Sequence, residues 1–245
     1  MAKFNGETLG IIGGCGVAAA IELLHRIEKK LVTERGCTDD PEQPEMILYQ
    51  ATQAPNRIAY ASGQSDLSFA PYFIRAAKSL KQSGATVCCI PCNTAHCVAD
   101  EIERESGLPF INLIDETVKY IANFHGGVEN IGLLCSVGTA RSKIHDRSSR
   151  KLNVPLKFTY PSDKFQAEVS GGICAVKAGI MYRDPEAGRE IFTAAMDELV
   201  ANGAEIIVLG CTEIPLAIAA KMHGNVPIAD TISILADACI DRCMA

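Results

Sequence analysis

Short apolar runs alternate along the chain with longer segments whose apolar positions recur at helical spacing. The runs at residues 86–90 and 205–209 each follow a helical pattern that ends in a glycine, Gly84 or Gly203. Glycine commonly ends a helix because it adopts the left-handed conformation without strain. Continuous apolar runs that alternate with helices are typical of buried parallel strands. The pattern therefore predicts an α/β fold in which helices cover parallel-type sheets.

The strand pattern occurs twice. In both copies a cysteine, Cys92 or Cys211, comes eight residues after the glycine that ends the helix. An earlier apolar run contains Gly10 in the first copy and Gly132 in the second, 82 and 79 residues before the cysteine. A proline-containing apolar run follows the two cysteines by 17 and 16 residues. Three blocks in the same order and at nearly equal spacing predict two homologous halves.

The repeat predicts two similar α/β domains related by a pseudo-two-fold axis. We expect residues 1–108 together with 228–245 to form the first domain, and residues 109–227 to form the second. The first domain is then discontinuous, because the last helix returns to it. Parallel sheets bind ligands at the carboxyl ends of their strands, so the active site is expected in the cleft between the domains.

Cys92 and Cys211 both stand at such strand ends, and a helical pattern follows each of them. The positive end of a helix lowers the pKa of a nearby thiol toward neutrality. A thiolate and a thiol near pH 7 are a suitable base and acid. If the two sulfurs flank one tetrahedral carbon, one removes a proton from one face and the other delivers a proton to the opposite face. That chemistry is racemisation or epimerisation.

The motifs around these cysteines resemble those of a known family. Pro-Cys-Asn-Thr-Ala-His at 91–96 and Gly-Cys-Thr-Glu at 210–213 look like the two catalytic motifs of the cofactor-independent aspartate/glutamate racemases. The similarity covers nearly the whole chain. It is supported by a glycine loop at 13–16, a Pro-Asn-Arg segment at 55–57, a Gly-Thr pair at 138–139 and a lysine segment at 176–179.

The resemblance implies an amino-acid racemase that needs neither pyridoxal phosphate nor a metal and that forms a homodimer. Cys92 and Cys211 would be its catalytic acid and base. Further residues would bind a small dicarboxylic amino acid: Asn93, Thr94, Thr139 and Thr212 around the α-carboxylate and amine, Arg57 and Lys177 at the carboxylates, and Gly14, Cys15, Gln50 and Glu213 elsewhere in the pocket.

Three positions depart from patterns within the family. Cys15 stands where methionine is frequent, and Asn56 stands where aspartate is usual. Glu213 stands where the glutamate racemases of cell-wall synthesis typically carry histidine. Glu213 favours the aspartate racemase branch, and hence interconversion of L- and D-aspartate, whereas Cys15 and Asn56 would change the shape of the pocket and the choice of substrate. Glutamate, or both acids, is the alternative substrate.

Two other classes of protein are compatible with parts of the sequence. The stretch from Cys135 to Arg141 has the spacing of a cysteine phosphatase loop, in which backbone amides and an arginine hold a phosphate. That interpretation leaves Cys92 and Cys211 without a role. A non-catalytic amino-acid binding protein on the same fold is the second alternative, although binding does not require two symmetric thiols.

Composition narrows the range of partners. The net charge is −6 and no basic block occurs, which disfavours binding to nucleic acid or to anionic membranes. The 11 cysteines are an odd number in a long chain, so we expect free thiols in a reducing compartment. No apolar run reaches the length that crosses a bilayer, and the polar start lacks the apolar stretch of a secretory leader. A cytoplasmic location is expected.

Overall fold

The computed structural model of the protein describes residues 4–184 and 186–244 and contains two sheets. The strands are β1 (Leu9–Gly13), β2 (Met46–Gln50), β3 (Val87–Cys89), β4 (Phe110–Ile111), β5 (Asn130–Leu134), β6 (Lys157–Thr159), β7 (Ile206–Leu209), β8 (Met222–His223) and β9 (Val226–Asp230). The first sheet has the order β2-β1-β3-β4 and the second has the order β6-β5-β7-β9-β8.

The two sheets have equivalent strand orders. All pairs in the first sheet are parallel, and so are the pairs among β6, β5, β7 and β9. The short strand β8 is antiparallel to β9 and adds an edge to the second sheet. The repeated sequence blocks correspond to β1, β3 and β4 in one sheet and to β5, β7 and β9 in the other. The predicted fold class, two similar α/β units with parallel-type sheets, is confirmed.

Helices cover both faces of each sheet. They are α1 (Val17–Thr33), α2 (Arg57–Ala61), α3 (Ala70–Gln82), α4 (Ala99–Ser106), α5 (Leu113–Phe124), α6 (Val137–Ser142), α7 (Ile144–Lys151), α8 (Asp163–Lys177), α9 (Ala187–Ala201), α10 (Ile214–Ala217) and α11 (Thr231–Cys243). None of the helices in the described part of the chain has both the length and the apolar character needed to cross a membrane.

Matching glycines show that the two halves pack alike. A Cβ atom at Gly10 would lie 3.1 Å from Ala85 Cβ and 3.1 Å from a methyl of Leu80. A Cβ atom at Gly132 would lie 2.9 Å from Ala204 Cβ and would also crowd the equivalent leucine of α9. In each half the central strand therefore lets a helix and the turn after it approach closely. This shared packing explains why the glycines recur at equivalent places in the sequence.

Two strands bear on where the chain passes from one half to the other. Phe110–Ile111 still pairs with β3 in the first sheet, and Val226–Asp230 pairs with β7 in the second. After each strand the next helix changes sides: Val118 of α5 packs in the core of the second sheet, and Leu235 of α11 packs in the core of the first. The domain boundaries at 109 and 228 stay a prediction, and within it we propose that the chain crosses near Asn112 and Asp230.

Candidate active site

Two loops carry the cysteines, one at the carboxyl end of each sheet. Cys92 follows β3, and its amide donates a hydrogen bond to the carbonyl of Ile90 at 2.8 Å. Cys211 follows β7 and comes directly after Gly210. A Cβ atom at Gly210 would lie 2.6 Å from a methyl of Leu133, so a larger residue there would have to displace that side chain. Both cysteine residues are 7% exposed.

Hydrogen bonds join the loops of the two halves. The hydroxyl of Thr212 donates to the carbonyl oxygen of Pro91 at 3.0 Å. The hydroxyl of Thr94 lies 3.1 Å from that of Ser136 and 2.8 Å from that of Thr139. All of these hydroxyls are buried. Because Thr212 and Pro91 adjoin the two cysteines in sequence, their bond holds the cysteine loops side by side.

Lys177, the last residue of α8, supplies a positive charge to both sulfurs. Its ammonium group is attracted by Glu213 and by both Cys211 and Cys92. Lys177 Nζ lies 3.5 Å from Glu213 Oε1. Burial opposes the charge of Lys177, but these neighbours outweigh it and raise the pKa of the lysine. We use the name thiol site for Cys15, Cys92, Lys177, Cys211 and Glu213.

The environment of Cys92 favours the thiolate. A hydrogen bond from the thiol of Cys15 is the largest cause, and the charges of Lys177 and Arg57 add to it. These contributions outweigh the cost of burial and lower the pKa of Cys92 to about 6. Cys15 itself shows the opposite shift, because donating that bond and being buried both raise its pKa. At neutral pH the pair therefore carries one negative charge, on Cys92.

The environment of Cys211 favours the neutral thiol. Burial raises its pKa well above the ordinary value, and the negative charge of Glu213 raises it further. Cys211 Sγ donates a hydrogen bond to Glu213 Oε2 at 3.0 Å. The carboxylate fits against the glycine loop of the first half, because a Cβ atom at Gly16 would lie 2.0 Å from Glu213 Oε1. The surroundings therefore favour different forms of the two cysteines, the thiolate at Cys92 and the neutral thiol at Cys211.

Buried polar atoms without a hydrogen bond gather around the thiol site. In the described part of the chain seven such side-chain atoms occur, and four of them belong to Gln50, Arg57, Asn93 and Glu213. Nearly all buried polar atoms in proteins are paired, so a cluster of unpaired ones is typical of a site that a polar ligand completes. Asn93 shows why: its amide nitrogen donates to the hydroxyl of Thr231 at 3.1 Å, which leaves Oδ1 free to accept from a ligand.

Arg57 is held by backbone carbonyls and keeps part of its guanidinium free. Its Nη1 donates to the carbonyls of Ala54 (3.2 Å) and Pro55 (3.1 Å), and its Nη2 donates to that of Cys15 (2.5 Å). A guanidinium has five N–H donors, so the N–H of Nε and one N–H of Nη2 remain. Asn56 caps the helix that begins at Arg57, as an aspartate would. Two free N–H groups match one carboxylate.

Comparison with known proteins assigns the chain to a family. A family model described as Asp/Glu/Hydantoin racemase matches residues 12–239. The chain belongs to this racemase family. Accordingly it is an amino-acid racemase, an enzyme of the isomerase class. The resemblance drawn from the cysteine motifs is confirmed.

Individual relatives cover almost the whole racemase. It is 22% identical to a broad specificity amino-acid racemase, RacX, of Bacillus subtilis over 97% of this chain and 98% of that protein. The structure of an aspartate racemase from Picrophilus torridus is 25% identical, with a TM-score of 0.80 over 97% of this chain and 94% of that one. A Pyrococcus horikoshii aspartate racemase homologue is 23% identical, with a TM-score of 0.70 over 97% and 99% of the two chains, and shows the same fold.

The racemase brings most of the predicted site residues together. Six of them contact one another or interact through their charges: Cys15, Arg57, Cys92, Lys177, Cys211 and Glu213. Thr94, Thr139 and Thr212 form the hydrogen bonds between the loops, and Asn93 lies beside them. Gln50 and Gly14 lie at the ends of β2 and β1. Gly14 has φ of +88°, and a Cβ atom there would lie 2.5 Å from the backbone of Ala51, so glycine is required.

The predicted lowering of the pKa at both thiols was wrong for Cys211. A short 3-10 helix, Thr94–Val98, follows Cys92, and the four-residue helix α10 begins three residues after Cys211. Neither is a long helix that would stabilise a thiolate at its N-terminus. Cys92 is made acidic by Cys15 and by cationic side chains instead, and the pKa of Cys211 is raised rather than lowered.

The phosphatase alternative was also wrong. Cys135 is fully buried in the core of the second half, and burial raises the pKa of its thiol. The amides that would hold a phosphate already have partners: Val137 N–H donates to Ser170 Oγ and Thr139 N–H to Ser136 Oγ. Arg141 donates to the carbonyl of Ser62. This segment therefore forms α6, and these two amides and Arg141 are already engaged within the protein.

Two residues at the site were missed by sequence reasoning. Ser136 caps α6 and contacts the hydroxyls of both Thr94 and Thr139. Thr231 donates to the carbonyl of Leu209 at 2.8 Å while it accepts from Asn93. A signal for Thr231 was present, because it follows β9 at the point where the chain changes halves. Ser136 had no comparable signal.

Proposed function

We propose that this racemase interconverts L- and D-aspartate with Cys92 and Cys211 as the two acid/base groups and without a cofactor. The observation that carries the proposal is the Thr212–Pro91 hydrogen bond, which holds the two cysteine loops side by side next to one lysine. Lys177 lies close enough to both sulfurs to interact with each, while Cys92 favours the thiolate and Cys211 the thiol. A base and an acid are thus ready at neutral pH.

In one turnover the Cys92 thiolate removes the α-proton and becomes a thiol. The electron pair left on the α-carbon delocalises into the adjacent carboxylate, where the charge of Lys177 stabilises it. Cys211 then gives its proton to the opposite face of the α-carbon and becomes a thiolate. The product is the mirror image, and the enzyme is left in the protonation state that serves the reverse reaction. Burial of both cysteines keeps water away from the carbanion.

The polar atoms that lack hydrogen-bond partners are expected to bind different groups of the substrate. Asn93 Oδ1 is an acceptor and suits the substrate ammonium group. The free N–H groups of Arg57 suit the side-chain carboxylate. Thr94, Thr139 and Ser136 donate to one another in the structure, so these hydroxyls must exchange partners to bind the α-carboxylate. The loops of the two halves are therefore expected to part slightly as substrate enters.

The test is a panel of L-amino acids incubated with the enzyme in D2O. Aspartate is expected to lose its α-hydrogen to deuterium and to yield the D-enantiomer fastest, as followed by NMR and chiral chromatography. Hydroxylamine and metal chelators should not lower the rate, since neither pyridoxal phosphate nor a metal takes part in the proposed steps. Saturable binding without exchange for any amino acid would identify a non-catalytic binding protein and reject the proposal.

The same panel separates the alternatives on substrate. A rate on glutamate equal to or above that on aspartate would assign a glutamate or dual-specificity racemase. The similarity to the broad specificity racemase RacX supports a wider range, and turnover of neutral amino acids at comparable rates would establish it. The homodimer and the cytoplasmic location stay predictions.

Replacement of Arg57 by alanine tests how the side-chain carboxylate is recognised. Loss of a charge-assisted pair is expected to raise KM for aspartate about 10–100-fold, because such hydrogen bonds contribute ~1.5–3 kcal/mol each. KM for a small neutral amino acid should change far less in the same variant. Steady-state kinetics on both substrates make the comparison. Equal losses on both would remove Arg57 from side-chain recognition and leave it the role of holding the loop at Cys15.

A further inference from the structure

His96 occupies a place in the structure that the mechanism above does not use. It lies in the 3-10 helix that follows Cys92 and is 7% exposed. Its Nδ1 atom lies 2.8 Å from the carbonyl oxygen of Cys92. Its Nε2 atom accepts a hydrogen bond of 3.1 Å from the amide of Leu113, the first residue of α5. The ring packs against Phe110, with the ring centroids 5.4 Å apart.

These two contacts determine the tautomer. An amide N–H has only a proton to offer, so Nε2 must present its lone pair to Leu113. In a neutral imidazole the proton is then on Nδ1, which donates it to the carbonyl of Cys92. A charged ring would have to break the bond to Leu113 and to place a proton against the positive end of α5. Burial also disfavours the charged ring and lowers the pKa of His96 to about 4.

The amide of Leu113, which binds His96, lies in a well-capped first turn of α5. The amides of Ile114 and Asp115 are capped by Asn112 Oδ1, at 3.0 and 3.2 Å. With Leu113 bound to His96, the first three amides of α5 are all satisfied. The loop that carries the sulfur of Cys92 is thus fastened to the start of α5.

The carbonyls next to Cys92 are fixed as well. Ile90 accepts from the amide of Cys92, Pro91 accepts from Thr212, and Cys92 accepts from His96. Three consecutive peptide groups therefore have defined orientations. The Cys92 side chain leaves the backbone between the last two of these, so their orientation sets where the sulfur points.

We propose that His96 is a positioning residue for racemisation, in which the neutral imidazole fixes the carbonyl of Cys92 against α5 and so aims the sulfur at the substrate. This inference rests on the proposed role of Cys92. It assigns no proton transfer to the histidine. Misplacement of a reacting group by about 1 Å can cost ~100-fold in rate, so the contact is expected to act on kcat.

Two substitutions separate the two bonds of the ring. His96→Asn can keep the donor to the Cys92 carbonyl, because its amide nitrogen lies near the position of Nδ1, but it loses the acceptor for Leu113. His96→Gln reaches the position of Nε2 and can keep the bond to Leu113 while it loses the donor to Cys92. The two variants are similar in polarity, so each is the matched control for the other.

We expect His96→Gln to lower kcat by roughly 10–100-fold with KM within about twofold of the wild type. His96→Asn should retain most of the activity, even if its thermal unfolding temperature is lower than that of His96→Gln. The inference is overturned if kcat follows the unfolding temperature in both variants, or if His96→Gln is as active as the wild type. Should His96→Gln fail to fold, NMR of the wild-type ring still tests the tautomer that the proposal requires.

Long-range 1H–15N NMR of histidine-labelled protein tests the tautomer without any assay of activity. The His96 signals, assigned by their absence from the His96→Asn spectrum, should be those of a neutral ring protonated at Nδ1 and should not titrate between pH 5.5 and 8. Protonation at Nε2, or titration within that range, would overturn the inference. If Cys92→Ala still racemises aspartate, the proposed function fails while the NMR result still reports on His96, so the two failures are distinguishable.

Discussion

Replacement of either Cys92 or Cys211 by alanine is expected to lower the rate of racemisation of aspartate by ~1,000-fold or more. General acid–base groups typically contribute 10²–10⁴-fold, and each of these cysteines acts on one face of the substrate. Inversion needs both, because one face must lose a proton and the other must gain one. Substrate binding should survive in both variants, since the proposed contacts to aspartate come from Asn93, Arg57 and Lys177.

Isotope exchange gives this prediction a sharper form. A variant that retains one cysteine can still remove the α-proton from one face and return deuterium to that same face. Each variant is therefore expected to exchange the α-hydrogen of one enantiomer slowly and without inversion, and the two variants should act on opposite enantiomers. In the wild-type enzyme, early product should carry deuterium while the remaining substrate does not.

Cys135→Ala is the matched control, because Cys135 is as deeply buried as the two site cysteines but lies in the core of the second half. It should keep the wild-type rate. Substantial racemisation by either Cys92→Ala or Cys211→Ala would reject the two-base mechanism. Exchange of the same enantiomer by both variants would show that the sulfurs do not flank the α-carbon.

The repeat in the sequence predicted the fold because strand order follows from local pattern. Gly10 and Gly132 each mark a strand that a helix approaches closely, and Cys92 and Cys211 each follow the strand paired to it. The order of the strands depends on burying their apolar residues, and those same residues are visible in the sequence as apolar runs. The position of both cysteines at sheet edges was predictable for this reason.

The difference between the two thiols was not predictable in the same way. It depends on Cys15, Lys177 and Glu213, which come from three separate segments. Periodicity indicates which face of an element is buried, but it does not indicate which polar side chains meet where several loops converge. A motif shared by both copies even favoured equal acidity, whereas the structure places a donor thiol beside Cys92 and a carboxylate beside Cys211.

The phosphatase pattern failed for a related reason. The spacing between Cys135 and Arg141 is compatible with an anion loop, but spacing does not state where a side chain points. In the fold Cys135 points into the core, and Ser136 takes up the amide that a phosphate would need. A linear pattern becomes a site only when its side chains face the same space, as we propose for those of Cys92 and Cys211 beside Lys177.

Replacement of Lys177 by methionine should have the second largest effect on catalysis. The side chain keeps its length but loses the charge that interacts with both sulfurs and with Glu213. Removal of one group that stabilises developing negative charge typically lowers kcat by ~10²–10³-fold, and a similar loss is expected here. Lys164→Met, on the exposed side of the same helix, is the control and should leave kcat unchanged.

The pH profile of Lys177→Met separates an electrostatic role from a structural one. In the wild type the thiolate of Cys92 is present above its pKa of about 6, so the rate in the direction that uses this base should fall as the pH drops through that value. Lys177 lowers that pKa, hence its loss should move the acidic limb of kcat/KM to higher pH. Lys177→Arg, which keeps a positive charge, should restore the limb toward its original position. A limb that stays in place in Lys177→Met, with kcat near that of the wild type, would show that the lysine does not act on Cys92.

The double variant Lys177→Met, Glu213→Gln also removes the buried carboxylate that the single variant leaves without its cation. It should therefore be more thermally stable than Lys177→Met, while its kcat stays low.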